Sequence, residues 1–181
     1  MAELEFHWLP REQYQDYSLK FRYTTDRYYH VCADEMGFRL ELRSFPAPVK
    51  KAFDSELFAS FLEDPVALGA FDGENLVGVV EGSMEGWHQV FRISNVLVQE
   101  SYRRSGTGSA LMQRMIHHAR AIPECRGVIL ETQSCNYPAI CFYRKHGFLL
   151  NRIDIREYSN EDIQQCEVRL DLFLPFSTAE K

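Results

Sequence analysis

The chain has 181 residues, of which 45% are hydrophobic, and its formal net charge at pH 7 is −6. This length supports one well-buried core and is too short for two typical domains. No run of about 18 apolar residues is present, which argues against a transmembrane helix. The acidic balance argues against nucleic acid as a partner and favours a cationic ligand, and a charge that serves only solubility is the alternative.

The cysteines and the first residues bear on the compartment. Five cysteines lie far apart without a Cys-x-x-Cys pair, so we expect them to be reduced rather than joined in disulfides or bound to zinc. The start, MAELEFHWLPREQ, has neither the basic residues nor the apolar segment of a secretion signal. We therefore expect a soluble protein in the cytoplasm. The histidines show no metal-binding spacing, so no metal site is predicted.

The first third of the chain predicts two strands and a helix. Residues 21–45 are rich in aromatic and β-branched residues and break near Ala33-Asp34-Glu35, which predicts two paired strands. After Pro46 and Pro48, apolar residues recur at helical spacing and predict a short helix that ends near Asp64-Pro65.

The middle of the chain predicts a hairpin, a further strand and a second helix. VALGAF and NLVGVVEG flank the turn Asp72-Gly73-Glu74 and predict the hairpin. FRISNVLV, residues 91–98, predicts the next strand. Residues 109–122 carry apolar side chains on one face and so predict a core-facing helix. The residues of that face are Leu111, Met112, Met115, Ile116 and Ala119.

The last third alternates between strand and helix. GVILET, residues 127–132, predicts a short buried strand, and Pro138 and Gly147 stand where a following helix would begin and end. Residues 152–156 and the segment CEVRLDLFL alternate apolar with charged side chains and predict two final strands. The whole pattern predicts an α/β fold with a mixed, mostly antiparallel sheet and helices packed on it.

A glycine turn stands between the strand FRISNVLV and the helix after it. Its residues are Arg103, Arg104, Ser105, Gly106, Thr107, Gly108 and Ser109. Free N–H groups at a helix start attract anions, and the glycines and arginines favour close approach and negative charge, so a pyrophosphate would fit. A Walker loop would need Gly-Lys-Ser/Thr, and a dinucleotide fingerprint would need glycine or alanine at Leu111. An ordinary strand-to-helix turn remains the alternative.

A later segment, LETQSCNYPAICFYRKHGF at residues 130–148, together with the glycine turn resembles the two main signatures of the GNAT superfamily of N-acetyltransferases. The cofactor turn of that family, Arg/Gln-x-x-Gly-x-Gly/Ala, is matched by Arg103, Gly106 and Gly108. The residues that match the later signature are Asn136, Tyr143, Gly147 and Phe148. Over about residues 66–158 the chain looks most like the streptothricin acetyltransferase branch.

The resemblance implies an enzyme that moves the acetyl group of acetyl-coenzyme A, its cosubstrate, to a primary amine of a small cationic molecule in a ternary complex. It implies a GNAT-like sheet in which FRISNVLV and GVILET form a splayed parallel pair around the pantetheine arm, with helices on both faces. The single domain would comprise an acceptor-side region at 1–64, a cofactor core at 65–158 and a C-terminal strand at 159–181. A homodimer is common in the family, and nucleic acid and membrane partners are not expected.

The cofactor contacts implied by the resemblance come from one strand end, the glycine turn and the later helix. They are Val96, Leu97, Val98, Arg103, Arg104, Ser105, Gly106, Thr107, Gly108, Ser109, Asn136, Ala139, Phe142 and Tyr143. A backbone N–H near Leu97 or Val98 is expected to stabilise the oxyanion. Asn136 is alternatively explained by a local role at the helix entry before Pro138.

Acetyl transfer needs help with protons, because an alkyl ammonium has a pKa near ~10.4 and is rarely the neutral nucleophile. Tyr143 is the candidate acid for the departing thiolate, since a phenol stays neutral at pH 7; the alternative is a packed structural tyrosine. The family often places a carboxylate on the strand that here has Ser94 and Asn95. Candidates for the base are therefore Glu131, Glu81, Glu85 or a water chain, and each carboxylate is alternatively a solvated or paired group.

Two other functions remain open at this point. A binding module that keeps the acyl-coenzyme A pocket without catalysis is supported by the missing strand carboxylate, whereas Tyr143 favours the enzyme. An unrelated α/β protein with an anion-binding turn would have no affinity for coenzyme A.

Overall fold

The computed structural model describes residues 4–176. Contacts within the chain divide it into two compact units. Unit 1 comprises Met1–Phe21, Asp54–Ile129 and Leu174–Lys181, and unit 2 comprises Arg22–Phe53 and Leu130–Phe173. Among residues 4–176, no helix is long and apolar enough to span a bilayer.

The strands and helices follow one another along the chain as β1 Glu5–Trp8, α1 Arg11–Tyr14, β2 Ser18–Ala33, β3 Phe38–Glu56, β4 Val66–Asp72, β5 Asn75–Glu85, β6 Val90–Val98, α2 Thr107–Arg120, β7 Gly127–Gln133, α3 Tyr137–Lys145, β8 Leu149–Asp154, α4 Asp162–Gln165 and β9 Arg169–Pro175. A single 3-10 turn at Glu100–Tyr102 precedes α2. The predicted strands and the helices α2 and α3 are thus present, although β8 ends at Asp154, before the predicted residues 155 and 156. β1, α1 and α4 were not predicted.

In unit 1 the strands stand in the order β1, β4, β5, β6 and the beginning of β7. β1, β4, β5 and β6 pair antiparallel with their neighbours, and the turn between β4 and β5 contains Gly73 at φ +58°. β6 and β7 are parallel neighbours joined through α2. The predicted mixed, mostly antiparallel sheet is confirmed, and the splay of its parallel pair stays a prediction.

Helix α2 covers one face of this part of the sheet and packs on β4, β5 and β6. Four side chains of its predicted apolar face are fully buried: Leu111, Met112, Met115 and Ala119. The approach is close, because a Cβ added to Gly78 in β5 would lie 3.0 Å from Leu111 Cδ1. The helix is held in place by burial of this apolar stripe, as its periodicity predicted.

In unit 2 the end of β7 is followed by β9 and then β8, and β8 and β9 pair antiparallel. β2 and β3 form a separate two-stranded sheet, which confirms the predicted pair. Helix α3 has Pro138 in its first turn and is followed by Gly147 at φ +87°, the two positions that the sequence indicated. β9 begins at Arg169, three residues later than the alternation predicted.

The prediction of a short helix after Pro46 and Pro48 is wrong. β3 runs through both prolines as far as Glu56, and residues 57–64 form turns and bends. A proline is tolerated in a strand where its missing N–H faces no ladder partner. Phe53 and Phe61 are 48% and 83% exposed, so the helical spacing did not mark a buried face.

Replacing Gly82 by alanine is expected to destabilise the protein by about 1–3 kcal/mol, because β5 and β6 leave no room for a side chain. The new Cβ would touch the Phe91 ring and lie 2.5 Å from the carbonyl oxygen of Arg92. Gly86→Ala is the matched control, since a Cβ there would meet no atom within 4 Å. Urea unfolding followed by circular dichroism measures both, and equal midpoints would contradict the close packing.

Candidate active site

The glycine turn lies in unit 1 between β6 and α2. Gly106 is the N-cap residue of α2 and has φ +96°, a left-handed conformation that glycine adopts without strain. Ser105 Oγ donates a hydrogen bond of 2.6 Å to the carbonyl oxygen of Tyr102 and lies 2.8 Å from Thr107 Oγ1. These contacts hold the turn against the helix start.

The turn suits an anion. No side chain caps the start of α2, so the N–H groups of its first turn have no side-chain acceptor among residues 4–176. A Cβ on Gly106 would meet no atom within 4 Å, which leaves open space beside the main chain. Arg103 and Arg104 are exposed and add positive charge, and Arg103 Nε donates to the carbonyl oxygen of Val98 at 3.0 Å. A diphosphate fits this combination of donors, helix dipole and cations.

Strand β6 contains a β-bulge in the same unit. Glu81 of β5 pairs with Asn95, whereas the next residue, Gly82, pairs with Ile93, so Ser94 has no partner in the ladder. Ser94 Oγ is buried and makes no hydrogen bond within the described part of the chain. A bulge of this kind turns neighbouring side chains out of the regular pattern and is frequent beside active sites.

Glu81 is fully buried next to the bulge, and both of its carboxylate oxygens accept hydrogen bonds. Oε1 accepts from the main-chain N–H of Phe58 at 2.5 Å, and Oε2 accepts from Nδ2 of Asn95 at 2.7 Å. Burial raises the pKa of Glu81, and the two hydrogen bonds oppose that rise. Phe58 has φ +58°, which is strained for a bulky residue, so Glu81 stabilises an unfavourable backbone conformation.

The remaining predicted cofactor residues of unit 1 continue β6 toward the glycine turn. Val96, Leu97 and Val98 are half-buried and pair with β5 after the bulge. In unit 2, the predicted cofactor residues lie at the N-cap and along the turns of α3; they are Asn136, Ala139, Phe142 and Tyr143.

Tyr143 is a half-buried residue of α3. Its ring centroid lies 5.6 Å from that of Phe142 and 6.2 Å from that of Phe148. Burial raises the pKa of its phenol to about 12, without a contribution from a hydrogen bond. The phenol therefore stays protonated at neutral pH and keeps its O–H available to a ligand.

Asn136 caps α3, because its Oδ1 accepts a hydrogen bond of 3.3 Å from the N–H of Ala139. The local role that the sequence left open is therefore present, and Nδ2 is the part of this side chain left for a ligand. Phe142 is held by His146, whose ring centroid lies 4.5 Å away and whose Nδ1 donates to the Phe142 carbonyl oxygen at 2.8 Å.

The two other predicted bases are ion-paired. Glu131 lies 2.6 Å from Arg169 Nη2, and its side chain is 42% exposed. Glu85 forms an ion pair with Arg92 and lies 3.7 Å from Nδ1 of His88. Each carboxylate considered as a base thus has partners within its own unit.

The contact between Glu81 and Phe58 was missed by the sequence analysis, which placed this segment in a helix. A signal was available, because Glu81 is a single charge inside the apolar stretch VVEG, and a buried charge needs a hydrogen-bonding partner.

Within residues 4–176, no group of three His, Cys, Asp or Glu side chains could hold a metal ion.

Comparison with known proteins identifies the family. The acetyltransferase (GNAT) family matches residues 34–148, more than half of the chain, and this segment includes both the glycine turn and Tyr143. The chain belongs to the GNAT family of acetyltransferases. Streptothricin acetyltransferase of Escherichia coli is 32% identical over 130 residues, 72% of this chain and 72% of that protein.

Solved structures of GNAT proteins agree with the fold. Nourseothricin acetyltransferase superposes with a TM-score of 0.78 at 25% identity, covering 96% of this chain and 99% of that one. A Bacillus anthracis str. Ames protein, solved in complex with acetyl coenzyme A, superposes with a TM-score of 0.73 at 18% identity, covering 97% and 98%.

Family membership confirms the predicted enzyme class. The chain is a GNAT acyltransferase with acetyl-coenzyme A as cosubstrate and an amine as acceptor. The resemblance to the streptothricin acetyltransferases is confirmed as well. The interpretation as an unrelated α/β protein is thereby excluded.

Proposed function

We propose that this GNAT enzyme transfers the acetyl group of acetyl-coenzyme A directly to a primary amine of a small cationic molecule in a ternary complex. The observation that carries the proposal is the uncapped start of α2 behind Gly106, because it offers N–H donors to a diphosphate. Relatives named for streptothricin and nourseothricin support a small-molecule acceptor. The net charge of −6 supports a cationic one.

Acetyl-coenzyme A supplies the activated acetyl thioester, and we assign its binding to chain segments that fit its parts. The first turn of α2 and the two arginines are assigned to the diphosphate, and Val96, Leu97 and Val98 to the pantetheine arm. A main-chain N–H near Leu97 or Val98 is assigned to the acetyl oxygen, where such a donor typically contributes ~3 kcal/mol to catalysis. Asn136, Ala139 and Phe142 are proposed to complete the cofactor contacts from α3.

Tyr143 is proposed to donate a hydrogen bond to the departing sulfur. Its pKa of about 12 keeps the phenol protonated. Full proton transfer to a thiolate is uphill, because an ordinary thiol has a pKa near ~8.5, more than three units lower. Stabilisation of the developing charge by the O–H group therefore fits this tyrosine better than complete protonation.

Water is proposed to remove the proton from the amine. Glu81 is buried and accepts two hydrogen bonds, and Glu131 and Glu85 are paired with arginines. A carboxylate already bound by a cation is a weaker base than a free one, because the ion pair lowers its affinity for a proton. A chain of water molecules, one of the candidates from the sequence, is instead proposed to relay the proton of the amine to bulk solvent, where buffer base takes it up.

Release of free thiol from acetyl-coenzyme A across a panel of amines tests the proposal. The panel contains small diamines and polyamines, monoamines of matched length, lysine and a short peptide with a free N-terminus. We expect the highest kcat/KM on a small acceptor that carries a second positive charge. Acetyl-coenzyme A binding is measured separately by calorimetry. Binding without turnover on any amine would favour a sensor, and preference for the peptide would contradict a small acceptor.

We also propose a division of the chain into regions, a cellular compartment and an oligomeric state. We assign the acceptor side to residues 1–64 and the cofactor core to residues 65–158. Five cysteines without paired spacing suit the reducing cytoplasm, and a homodimer is the assembly common in the family.

A further inference from the structure

Three unusual features meet where β5 and β6 face the segment after β3. Glu81 is fully buried, including its carboxyl group, and Phe58 has a strained φ of +58°. Ser94 is the extra residue of the β-bulge and has no partner in the ladder. Strained backbone and buried carboxylates persist only where the surrounding structure holds them, and they concentrate at functional sites. This cluster therefore points to a function beyond packing.

The polar groups of this cluster fix the orientation of the Asn95 side-chain amide. Its polar neighbours are Glu81 Oε2 at 2.7 Å and the carbonyl oxygen of Glu56 at 3.4 Å. A carbonyl oxygen only accepts, so the NH₂ group must face Glu56, and Oε2 of Glu81 lies in place to accept its second hydrogen. The amide oxygen, Oδ1, is consequently turned the other way.

Oδ1 is the side-chain atom of Asn95 that is left to meet a ligand. It makes no hydrogen bond within residues 4–176, whereas both hydrogens of Nδ2 have acceptors. Asn95 keeps 7% of its surface exposed, while Glu81 behind it is fully buried and cannot reach a ligand itself. An oriented, neutral oxygen acceptor on β6, directly before Val96, matches a ligand that donates hydrogen bonds, such as a primary amine.

We propose that Oδ1 of Asn95 accepts a hydrogen bond from the acceptor amine, and that Glu81 is a positioning residue that keeps this oxygen turned toward it. The assignment rests on the proposed function, because it takes Val96, Leu97 and Val98 to border the acetyl group. It gives Glu81 a role in acceptor binding that acts through Asn95 rather than through proton transfer.

Replacement of Glu81 by glutamine tests the orientation. The oxygen of the new side chain can still accept from Phe58 N–H, but its NH₂ group then meets the NH₂ group of Asn95. Two donors cannot pair, so the Asn95 amide rotates and presents Nδ2 to the amine. We expect the KM for the amine to rise about 10-fold or more, with the KM for acetyl-coenzyme A unchanged.

The double variant E81Q/N95D restores the pattern of donors and acceptors. One oxygen of the new aspartate accepts from the amide of the new glutamine, and its other oxygen again faces the amine. We expect the amine KM to return to within about threefold of the original value. An unchanged amine KM in E81Q, or a double variant no better than E81Q, would overturn the assignment.

A second variant leaves Glu81 in place in case E81Q does not fold. Asn95→Leu has a similar shape and no acceptor for the amine. We expect about a tenfold rise in the amine KM, with the KM for acetyl-coenzyme A unchanged. An unchanged amine KM in Asn95→Leu would reject the role of Oδ1. Failure of the original enzyme to acetylate any amine would instead reject the proposed function.

Discussion

Tyr143→Phe is expected to lower kcat about 100-fold while the affinity for acetyl-coenzyme A stays unchanged. The variant removes one O–H group from α3 and keeps the ring that packs beside Phe142 and Phe148. A hydrogen bond to a developing charge contributes about 1.5–3 kcal/mol, which corresponds to this loss of rate. Single-turnover kinetics measures the rate, and calorimetry measures the affinity.

Tyr137→Phe is the matched control, because it removes a phenol hydroxyl from the same helix at a position outside the proposed contacts. We expect it to change kcat by less than about twofold, the usual range for a substitution that touches no reacting group. Equal losses of kcat in the two variants, or equal losses of rate and affinity in Tyr143→Phe, would contradict the assigned role.

The pKa of Tyr143 leads to a pH dependence that the same assay checks. Because burial raises that pKa to about 12, the donor is present at all lower pH values and is lost only as the pH rises through this value. We expect no fall in kcat from this phenol below about pH 11, one unit under its pKa. A basic limb with a pKa near ~10 that disappears in Tyr143→Phe would show an unshifted phenol.

Gly108→Asp is expected to weaken acetyl-coenzyme A binding by about 100-fold or more. Gly108 is the second residue of α2, so a side chain introduced there would stand in the turn assigned to the diphosphate. Two unit charges 4 Å apart repel by about 4 kcal/mol at an effective dielectric constant of 20, which exceeds the energy for a 100-fold change. Equilibrium binding of acetyl-coenzyme A measured by calorimetry gives the result.

Gly108→Asn separates charge from bulk, because asparagine adds a side chain of the same shape without a charge. We expect its binding to lie between those of the original and the aspartate variant. Misfolding does not explain a loss in Gly108→Asp, since an acidic residue in the first turn of a helix is stabilising by about 0.3–1 kcal/mol. If neither variant weakens binding, the diphosphate does not lie against this turn.

Strong local signals account for the elements that the sequence predicted correctly. The stripe of Leu111, Met112 and Met115 specified α2, and Asp72-Gly73-Glu74 specified the hairpin of β4 and β5. Asn136, Pro138 and Gly147 similarly marked the limits of α3. In each case the apolar period or a turn residue acts within a few neighbours, so no distant contact is needed to interpret it.

The segment after Pro46 shows why local signals fail elsewhere. Phe53, Leu57 and Phe61 have helical spacing, yet β3 extends to Glu56 and the chain then turns. Leu57 and Phe58 are buried in a cluster that includes Leu9, Leu19 and Val79, which are remote in sequence. Contacts of that range override a short periodic pattern, because a helix of about two turns has little stability of its own and takes it from tertiary packing.

The sequence by itself determined the family, the class of reaction and the position of the glycine turn, and it marked Tyr143 as a candidate residue of the site. Each of these depends on a motif of neighbouring residues. Only the tertiary structure decided the environment of Glu81, Asn95 and Phe58. Phe58 and Asn95 are 37 positions apart in the sequence (95 − 58 = 37). Whether a carboxylate is a base or a support depends on burial and on the donors that surround it. Those donors come from strands that meet only when the chain is folded.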